Sequence, residues 1–182
     1  VGVGGVGGFG VQIADAVGAA VIALDVSSQR LALMASRGAS LTLRPDEQSL
    51  KELRSAVRVF AKDRGIPSWR TKIFETSGTA DGQGTAFGLL GPGSYLSIVG
   101  YTAQKVEIRL SNLMAFDATA QGNWGCLPEH YPAALGLVLA GKVALSPFVE
   151  SRPLDSINET MADLHGGKIQ SRVILIPDHA GG

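Results

Sequence analysis

The sequence contains a single cysteine, Cys126, and only 6% of its residues are aromatic. One cysteine cannot form an internal disulfide, so a disulfide-stapled secreted fold is excluded and a reducing cytoplasmic location is predicted. No uninterrupted apolar run approaches the roughly 20 residues that a membrane-spanning helix needs. Sixteen acidic residues balance sixteen basic residues. The net charge therefore gives no indication of a nucleic-acid or membrane partner.

Glycine is abundant, with 24 residues, and the first of them form a pattern. Gly2, Gly4 and Gly7 have the spacing G-x-G-x-x-G, in which the first glycine makes a tight turn and the second lets backbone approach a pyrophosphate. The third allows a helix to lie close to the preceding strand. Only Val1 precedes the loop. We therefore expect the chain to begin inside the first strand of a longer protein.

The residues after the loop complete a βα–β unit. Residues 9–17 have the small and apolar side chains of a helix packed on a sheet, and Gly18 suits its C-terminal end. Residues 19–24 are an apolar run typical of a buried parallel strand. The run ends at Asp25, where a carboxylate can accept hydrogen bonds from the adenosine ribose of NAD. The 2′-phosphate of NADP would be repelled there, so NAD is the predicted cofactor although Arg30 lies five residues on.

Alternating strand and helix patterns continue through the chain and predict a parallel α/β sheet. In such a sheet ligands bind beyond the carboxyl ends of the strands, so Asp25, residues 76–78 and residues 100–102 should converge. The strands expected after the first unit are Ala39–Leu43 and residues 72–78, 94–99, 106–110 and 171–176.

The second half of the chain carries weaker signals. Pro128 is expected to start a helix through about Ala140, and its apolar stripe (Tyr131, Leu135, Val138 and Leu139) is expected to pack in a core. Asp155 is expected to cap a last helix, and residues 179–182 to form a loose tail. Cys126 and His130 have a spacing that could bind a metal, but chance placement is the simpler interpretation, and no metal site is predicted.

Several segments resemble, in order, the cofactor-binding portion of the medium-chain dehydrogenase/reductase superfamily, the zinc-type alcohol dehydrogenases. They are residues 2–7, Gln12, residues 18–25, 74–78, 93–100, 153–155 and 166–176. The resemblance implies a Rossmann-type doubly wound parallel sheet truncated in its first strand. It also implies an NAD-binding domain over residues 1–125 and a C-terminal α/β segment of the catalytic domain over 126–182. Residues 75–78 and 122–125 further resemble the 6-hydroxycyclohex-1-ene-1-carbonyl-CoA dehydrogenases of anaerobic aromatic degradation.

The same resemblance implies roles for individual residues. The glycines would surround the pyrophosphate, Asp25 and Arg30 would lie at the adenosine ribose, and residues 76–78 would flank the adenosine and ribose side. Residues 100–102 and Asn123 would approach the nicotinamide. Arg172 would lie near the phosphates, with Lys168 as the alternative basic partner. The predicted cofactor-binding set is Gly2, Gly4, Gly5, Gly7, Asp25, Arg30, Thr76, Ser77, Gly78, Gly100, Tyr101, Asn123 and Arg172.

The implied activity is hydride transfer between a secondary alcohol, or an alcohol carried on a CoA thioester, and NAD. Family members bind zinc and hold their catalytic residues in an N-terminal domain, so no catalytic residue is predicted here and the chain alone is expected to be inactive. Family members also form dimers or tetramers. The alternative is a stand-alone NAD-binding module without catalysis. A methyltransferase fits less well, because the loop has the form G-x-G-G-x-G.

Overall fold

The computed structural model describes residues 1–169 and 171–177, which form alternating helices and strands. The helices are α1 (Gly7–Ala16), α2 (Ser28–Ala35), α3 (Leu50–Asp63), α4 (Ala80–Gly88), α5 (Ser111–Ala115), α6 (Tyr131–Leu139) and α7 (Ile157–His165). The strands are β1 (Val21–Leu24), β2 (Ala39–Leu43), β3 (Lys72–Glu75), β4 (Tyr95–Ile98), β5 (Thr119–Gly122), β6 (Val149–Pro153) and β7 (Arg172–Ile176).

Val1 and Gly2 join two groups of parallel strands into one sheet. The strands pair in the orders β1-β2 and β3-β4-β5. The Gly2 N–H donates to the Leu24 carbonyl oxygen at 2.8 Å, and the Thr76 N–H donates to the Val1 carbonyl oxygen at 2.8 Å. Val1 and Gly2 therefore lie between β1 and β3 in the position of a central parallel strand. This order is that of a Rossmann-type sheet, as the sequence predicts.

Local signals set several of the element ends. The Ser27 hydroxyl accepts from the Arg30 N–H and caps α2. Ser49 and Glu52 form a capping box at the start of α3. Gly18 ends α1 with a φ of 84°, a left-handed conformation that glycine adopts without steric cost.

Helix α1 approaches the sheet so closely that Gly7 has no room for a side chain. A Cβ on Gly7 would lie 1.9 Å from the Gly2 carbonyl oxygen. Gly2 has a φ of 81°, and a Cβ there would lie 2.5 Å from the backbone of Ser77. The absence of side chains at these two glycines thus lets three segments come into van der Waals contact: helix α1, the backbone of Val1 and Gly2, and the turn after β3.

The second half of the chain docks on α1. Phe148 is buried in the same apolar cluster as Val11, and its ring centroid lies 5.4 Å from that of Phe9. The buried Gln12 accepts a hydrogen bond from the Ala144 N–H at 2.8 Å and donates to the Ala144 carbonyl oxygen at 3.3 Å. Beyond this junction, β6 and β7 pair in parallel.

The strand expected at residues 106–110 is wrong. That segment has no regular secondary structure, and the edge of β4 that faces away from β3 pairs with β5, a segment not among the expected strands. A segment forms a strand only where a neighbouring strand accepts its hydrogen bonds. Since β5 takes that edge, residues 106–110 do not become a strand in this sheet. Strand β6 was also not expected.

Two expectations for the second half are wrong as well. Tyr131, Leu135 and Leu139 in α6 are 58%, 58% and 88% exposed, so their stripe is not core among the described residues. Asp155 lies in a 3-10 turn (Leu154–Ser156), and Ser156 is the residue at the N-cap of α7, without a side-chain capping bond. The turn delays the helix start beyond the reach of Asp155. The expected tail at residues 179–182 lies outside the described residues.

No helix within the described ranges combines the length and the apolar character required to cross a membrane.

Replacing Gln12 with alanine should lower the free energy of unfolding by about 1–3 kcal/mol, because it removes the acceptor of the Ala144 N–H and leaves that group unsatisfied. Urea denaturation followed by circular dichroism measures the change. The exposed Gln104→Ala is the control and should stay within about 0.5 kcal/mol of the parent chain. Equal stability of Gln12→Ala and Gln104→Ala would contradict the docking role of Gln12.

The glycine loop offers a matched pair of substitutions. Gly7→Ala should lower the free energy of unfolding by more than about 2 kcal/mol, since its Cβ would overlap backbone that cannot move independently. Gly5→Ala should change it by less than about 0.5 kcal/mol, because a Cβ there meets only Arg172, at 3.6 Å. Thermal unfolding of the two variants measures the difference, and similar losses in both would show that the close approach at Gly7 is not the constraint.

Candidate cofactor-binding site

A cleft of about 1170 Å³ opens at the carboxyl ends of the parallel strands. It exceeds the roughly 300–1,000 Å³ of common small-molecule pockets, so an extended ligand fits it better than a compact one. Its walls come from the glycine loop, the ends of β1 and β3, the start of α4, residues 105–107 and the start of β7.

Two guanidinium groups lie over the glycine loop. A Cβ on Gly4 would be 3.7 Å from Arg30 Nη1, and a Cβ on Gly5 would be 3.6 Å from Arg172 Nε. No side chain caps the N-terminus of α1, which begins directly after the loop. The positive end of a helix and two cations therefore face the same part of the cleft, an arrangement that binds anions such as phosphate. Among the described residues Arg172 makes no ion pair.

Asp25 follows β1 and is buried at the edge of the cleft, 5% exposed. Its Oδ2 accepts from the Val3 N–H at 2.8 Å, and its Oδ1 accepts from the Ser27 N–H at 2.8 Å. Arg30 Nη1 lies 3.8 Å from Oδ2. Each carboxylate oxygen has two lone pairs, so the backbone bonds leave further acceptor capacity for hydroxyl groups. The buried Nε of Arg30 has no hydrogen-bond partner within the described chain.

The turns after β3 and β4 touch each other on the other side of Val1 and Gly2. Thr76 Oγ1 donates to the Gly2 carbonyl oxygen. Gly78 has a φ of 66°, and a Cβ there would lie 2.8 Å from the Tyr101 carbonyl oxygen. Because Asp25 follows β1 and Thr76 follows β3, Val1 and Gly2 separate the two. Thr76, Ser77 and Gly78, for which the resemblance implies a place on the adenosine and ribose side of the cofactor, lie next to Gly100 and on the other side of Val1 and Gly2 from Asp25.

The structure brings only part of the predicted set to the wall of this cleft. The members that line it are Gly2, Gly4, Gly5, Asp25, Arg30, Thr76, Ser77 and Arg172. Gly7 supports the loop from within α1, and Gly78, Gly100 and Tyr101 form the adjoining pair of turns. Asn123 follows β5, where its side-chain amide donates to Ser97 Oγ, so it is held against the sheet and away from the cleft lining.

Sequence reasoning missed Glu75, the last residue of β3. Its side chain is completely buried, and Oε1 accepts from the Ser77 N–H at 2.8 Å and from the Ser77 hydroxyl. The signal that could have found it is its position, since an acid at a strand end before Thr76 parallels Asp25 at the end of β1. Lys105 also lines the cleft, as does Glu107, which lies in the segment wrongly expected as a strand.

The described residues do not fit a zinc ion. Within residues 1–169 and 171–177, no group of three or more His, Cys, Asp or Glu side chains could hold a metal. Cys126 is exposed. It raises the pKa of Tyr131, mainly through a side-chain hydrogen bond and also through electrostatic interaction with the Tyr131 side chain.

The sequence profile of the family described as zinc-binding dehydrogenase matches residues 5–140. The galactitol 1-phosphate 5-dehydrogenase of Escherichia coli strain K12 is 27% identical over 187 residues, which cover 97% of this chain and 52% of the relative. An alcohol dehydrogenase of Geobacillus stearothermophilus is 26% identical over 175 residues, covering 96% of this chain and 48% of the relative. The chain thus spans about half the length of the curated relatives it matches.

Crystal structures give the same result. The galactitol-1-phosphate dehydrogenase from Escherichia coli superimposes with a TM-score of 0.83 at 27% identity, covering 97% of this chain and 52% of that one. An alcohol dehydrogenase from Thermotoga maritima superimposes with a TM-score of 0.83 at 29% identity, covering 97% and 48%. The family match over residues 5–140 contains strands β1–β5 and the end of the glycine loop. The chain therefore belongs to the zinc-binding dehydrogenase family.

Proposed function

We propose that this chain is the NAD-binding portion of a dehydrogenase that oxidises a secondary alcohol to a ketone. One observation carries the proposal: Arg30 and Arg172 lie over Gly4 and Gly5 in a cleft that also holds the buried Asp25. A dinucleotide needs an anion site for its pyrophosphate and an acceptor for its ribose hydroxyls, and these groups supply both. Isothermal titration of the chain with NAD⁺ tests the proposal directly.

The cofactor would span the cleft with its pyrophosphate at the glycine loop. The N-terminus of α1 and the two guanidinium groups would neutralise the phosphates, and Asp25 would accept from the adenosine ribose. The nicotinamide half would then extend over the ends of β3 and β4, toward Ser77 and Gly100. Asn123, which follows β5, would contact the cofactor only after its hydrogen bond to Ser97 is broken. The proposal includes an NAD-binding domain over residues 1–125 and a C-terminal segment of the catalytic domain over residues 126–182.

When bound, NAD⁺ supplies the hydride acceptor at C4 of the nicotinamide. The chain's own residues bind and orient the cofactor, and the proposal assigns none of them a role in proton transfer. In the complete enzyme, any zinc and the catalytic residues would come from outside this chain.

The substrate would be a small-molecule alcohol. The relatives are named as galactitol 1-phosphate and alcohol dehydrogenases, which supports a polyol or simple alcohol. The narrower prediction of 6-hydroxycyclohex-1-ene-1-carbonyl-CoA, and with it a CoA thioester, gains no support from these relatives and stays a prediction. A dimeric or tetrameric enzyme, and a cytoplasmic one, likewise remain predictions.

A stand-alone NAD-binding module is the second candidate. It is favoured by the absence, within the described chain, of a group that could hold a catalytic metal. Assays of the chain with NAD⁺ and a panel of polyols, polyol phosphates and secondary alcohols distinguish turnover from binding alone. We expect binding without turnover, and NADH production by this chain would contradict the prediction that it is inactive by itself.

Replacing Arg172 with glutamine should weaken NAD⁺ binding by about 1.5–3 kcal/mol, the range for hydrogen bonds to a charged group. This corresponds to an increase in Kd of about 12- to 140-fold. Titration calorimetry measures Kd, and the exposed Arg70→Gln, on the 3-10 turn Ser68–Arg70, is the matched control. Equal affinity of the Arg172 and Arg70 variants would rule out the phosphate role of Arg172.

Replacing Asp25 with alanine should weaken NAD⁺ binding by about 1.5–3 kcal/mol and also narrow the preference for NAD⁺ over NADP⁺ by about tenfold. The deciding quantity is the ratio of the Kd for NADP⁺ to the Kd for NAD⁺. Asp25 also accepts hydrogen bonds from the backbone of Val3 and Ser27, so its loss should weaken the binding of both cofactors. Asp63→Ala, at the end of α3, is the control. An unchanged Kd ratio in the Asp25 variant would argue against contact with the ribose.

A further inference from the structure

The turn that follows β2 holds an arginine between two carboxylates. The Glu47 N–H donates to the Arg44 carbonyl oxygen at 3.2 Å, so residues 44–47 form a four-residue turn. Pro45 has the second position of that turn, for which its fixed φ is suited. Arg44 Nε and Nη2 donate to the two carboxylate oxygens of Asp46 at 2.9 and 2.6 Å, and Arg44 Nη1 lies 3.2 Å from Glu47 Oε1. Each nitrogen of the guanidinium group therefore faces a carboxylate oxygen.

This turn lies beside Asp25 at one corner of the cleft. The Asp25 N–H donates to the carbonyl oxygen of Leu43, the last residue of β2, at 3.4 Å. Pro45 and Asp46 line the same cleft as Asp25. Hydrogen bonds to Asp46 do most to raise the pKa of Arg44, and the charge of Asp25 is among those that raise it further. Arg44 is therefore within electrostatic reach of the Asp25 carboxylate.

The ion pair is accessible from the cleft. The side chains of Arg44 and Asp46 are 27% and 39% exposed, so a ligand beside Asp25 can approach them without a change in the fold. A guanidinium group binds phosphate strongly, because its planar donors match two phosphate oxygens at once. Here the same donors are already taken by carboxylates of the turn. With one basic and two acidic side chains, the turn as a whole is formally negative.

We propose that Asp46 and Glu47 are specificity-determining residues that keep Arg44 from binding the 2′-phosphate of NADP⁺, and so make the cleft prefer NAD⁺. The inference rests on the proposed function, in which the adenosine ribose lies at Asp25. A phosphate on the 2′-hydroxyl of that ribose would come to the corner that Asp25 shares with the turn. Discrimination then has two sources: Asp25 repels the phosphate, and the turn withholds a cation that would bind it.

The test is titration calorimetry with NAD⁺ and NADP⁺ on the parent chain and on the double variant Asp46→Asn/Glu47→Gln. The amides keep the side-chain shapes and remove both negative charges, which frees the guanidinium group. We expect the ratio of the Kd for NADP⁺ to the Kd for NAD⁺ to fall about fivefold or more, the scale of one charge pair in a solvent-exposed site. The Kd for NAD⁺ itself should stay within about twofold, because NAD⁺ has no 2′-phosphate for the freed group to bind.

The matched control adds Arg44→Gln to both changes. Without the guanidinium group, the Kd ratio should return to within about twofold of the parent value. A fall that persists in this triple variant would overturn the inference, because the gain would then come from the loss of acidic charge alone. An unchanged ratio in the double variant would overturn it as well.

Circular dichroism shows whether the variants fold. If the double variant does not, Asp46→Asn alone replaces it, and its Kd ratio must still fall by more than about twofold, since it loses the stronger of the two contacts to Arg44. A parent chain that binds NADP⁺ as tightly as NAD⁺ would also overturn the inference. If the parent chain binds neither cofactor, the proposed function itself fails, and this result is distinct from a failure confined to the turn after β2.

Discussion

The close contact among Gly2, Gly7 and Ser77 is the constraint on which the rest of the structure depends. A side chain on Gly7 would meet the Gly2 carbonyl oxygen, and one on Gly2 would meet the Ser77 backbone. The contact sets the height of α1 above the sheet and the position of the turn after β3. Since the helix N-terminus and that turn both face the cleft, two glycines fix two walls of the candidate site.

Buried carboxylates stand on both sides of this contact. Asp25 follows β1 and uses its oxygens to hold the Val3 and Ser27 backbones, and Glu75 ends β3 and holds Ser77 and Gly78. Burying a charge is costly, so each is retained only where backbone donors compensate it. The difference lies in their cations: Arg30 lies 3.8 Å from Asp25, and no described cationic side chain pairs with Glu75. The two carboxylates therefore have different electrostatic surroundings.

Much of the fold could be predicted from the sequence because its signals are local. The capping box at Ser49 and the left-handed Gly18 each act through bonds to residues a few positions away. Strands β5 and β6 could not be predicted in the same way. Their residues are largely polar or charged, and they form strands because β4 and β7 offer them an edge. Such pairing depends on tertiary structure, which a local pattern does not contain.

The candidate site, like the fold, could be predicted only where a local sequence pattern indicates it. The sequence identified the glycine loop and Asp25 because their spacing carries the chemistry, and the family resemblance added Arg172. Glu75 was missed because a glutamate is rarely buried, and composition predicts that it is exposed. The apolar stripe of α6 shows the opposite error. Periodicity predicts that a face is apolar, but only the assembled structure shows whether another surface covers it.

Arg172 connects the docking of the second half to the chemistry of the cleft. Arg172 belongs to β7, which pairs with β6. Strand β6 begins directly after Phe148, and Phe148 packs in one apolar cluster with Val11 of α1. Gln12 holds the same junction through Ala144. A loss of docking at α1 would therefore displace the guanidinium group from Gly5, although Gly5 itself lies at the other end of the chain. The anion site is thus a product of tertiary packing as well as of the glycine sequence, because Arg30 lies on α2, shortly after the βα–β unit that carries the loop, whereas Arg172 lies on β7.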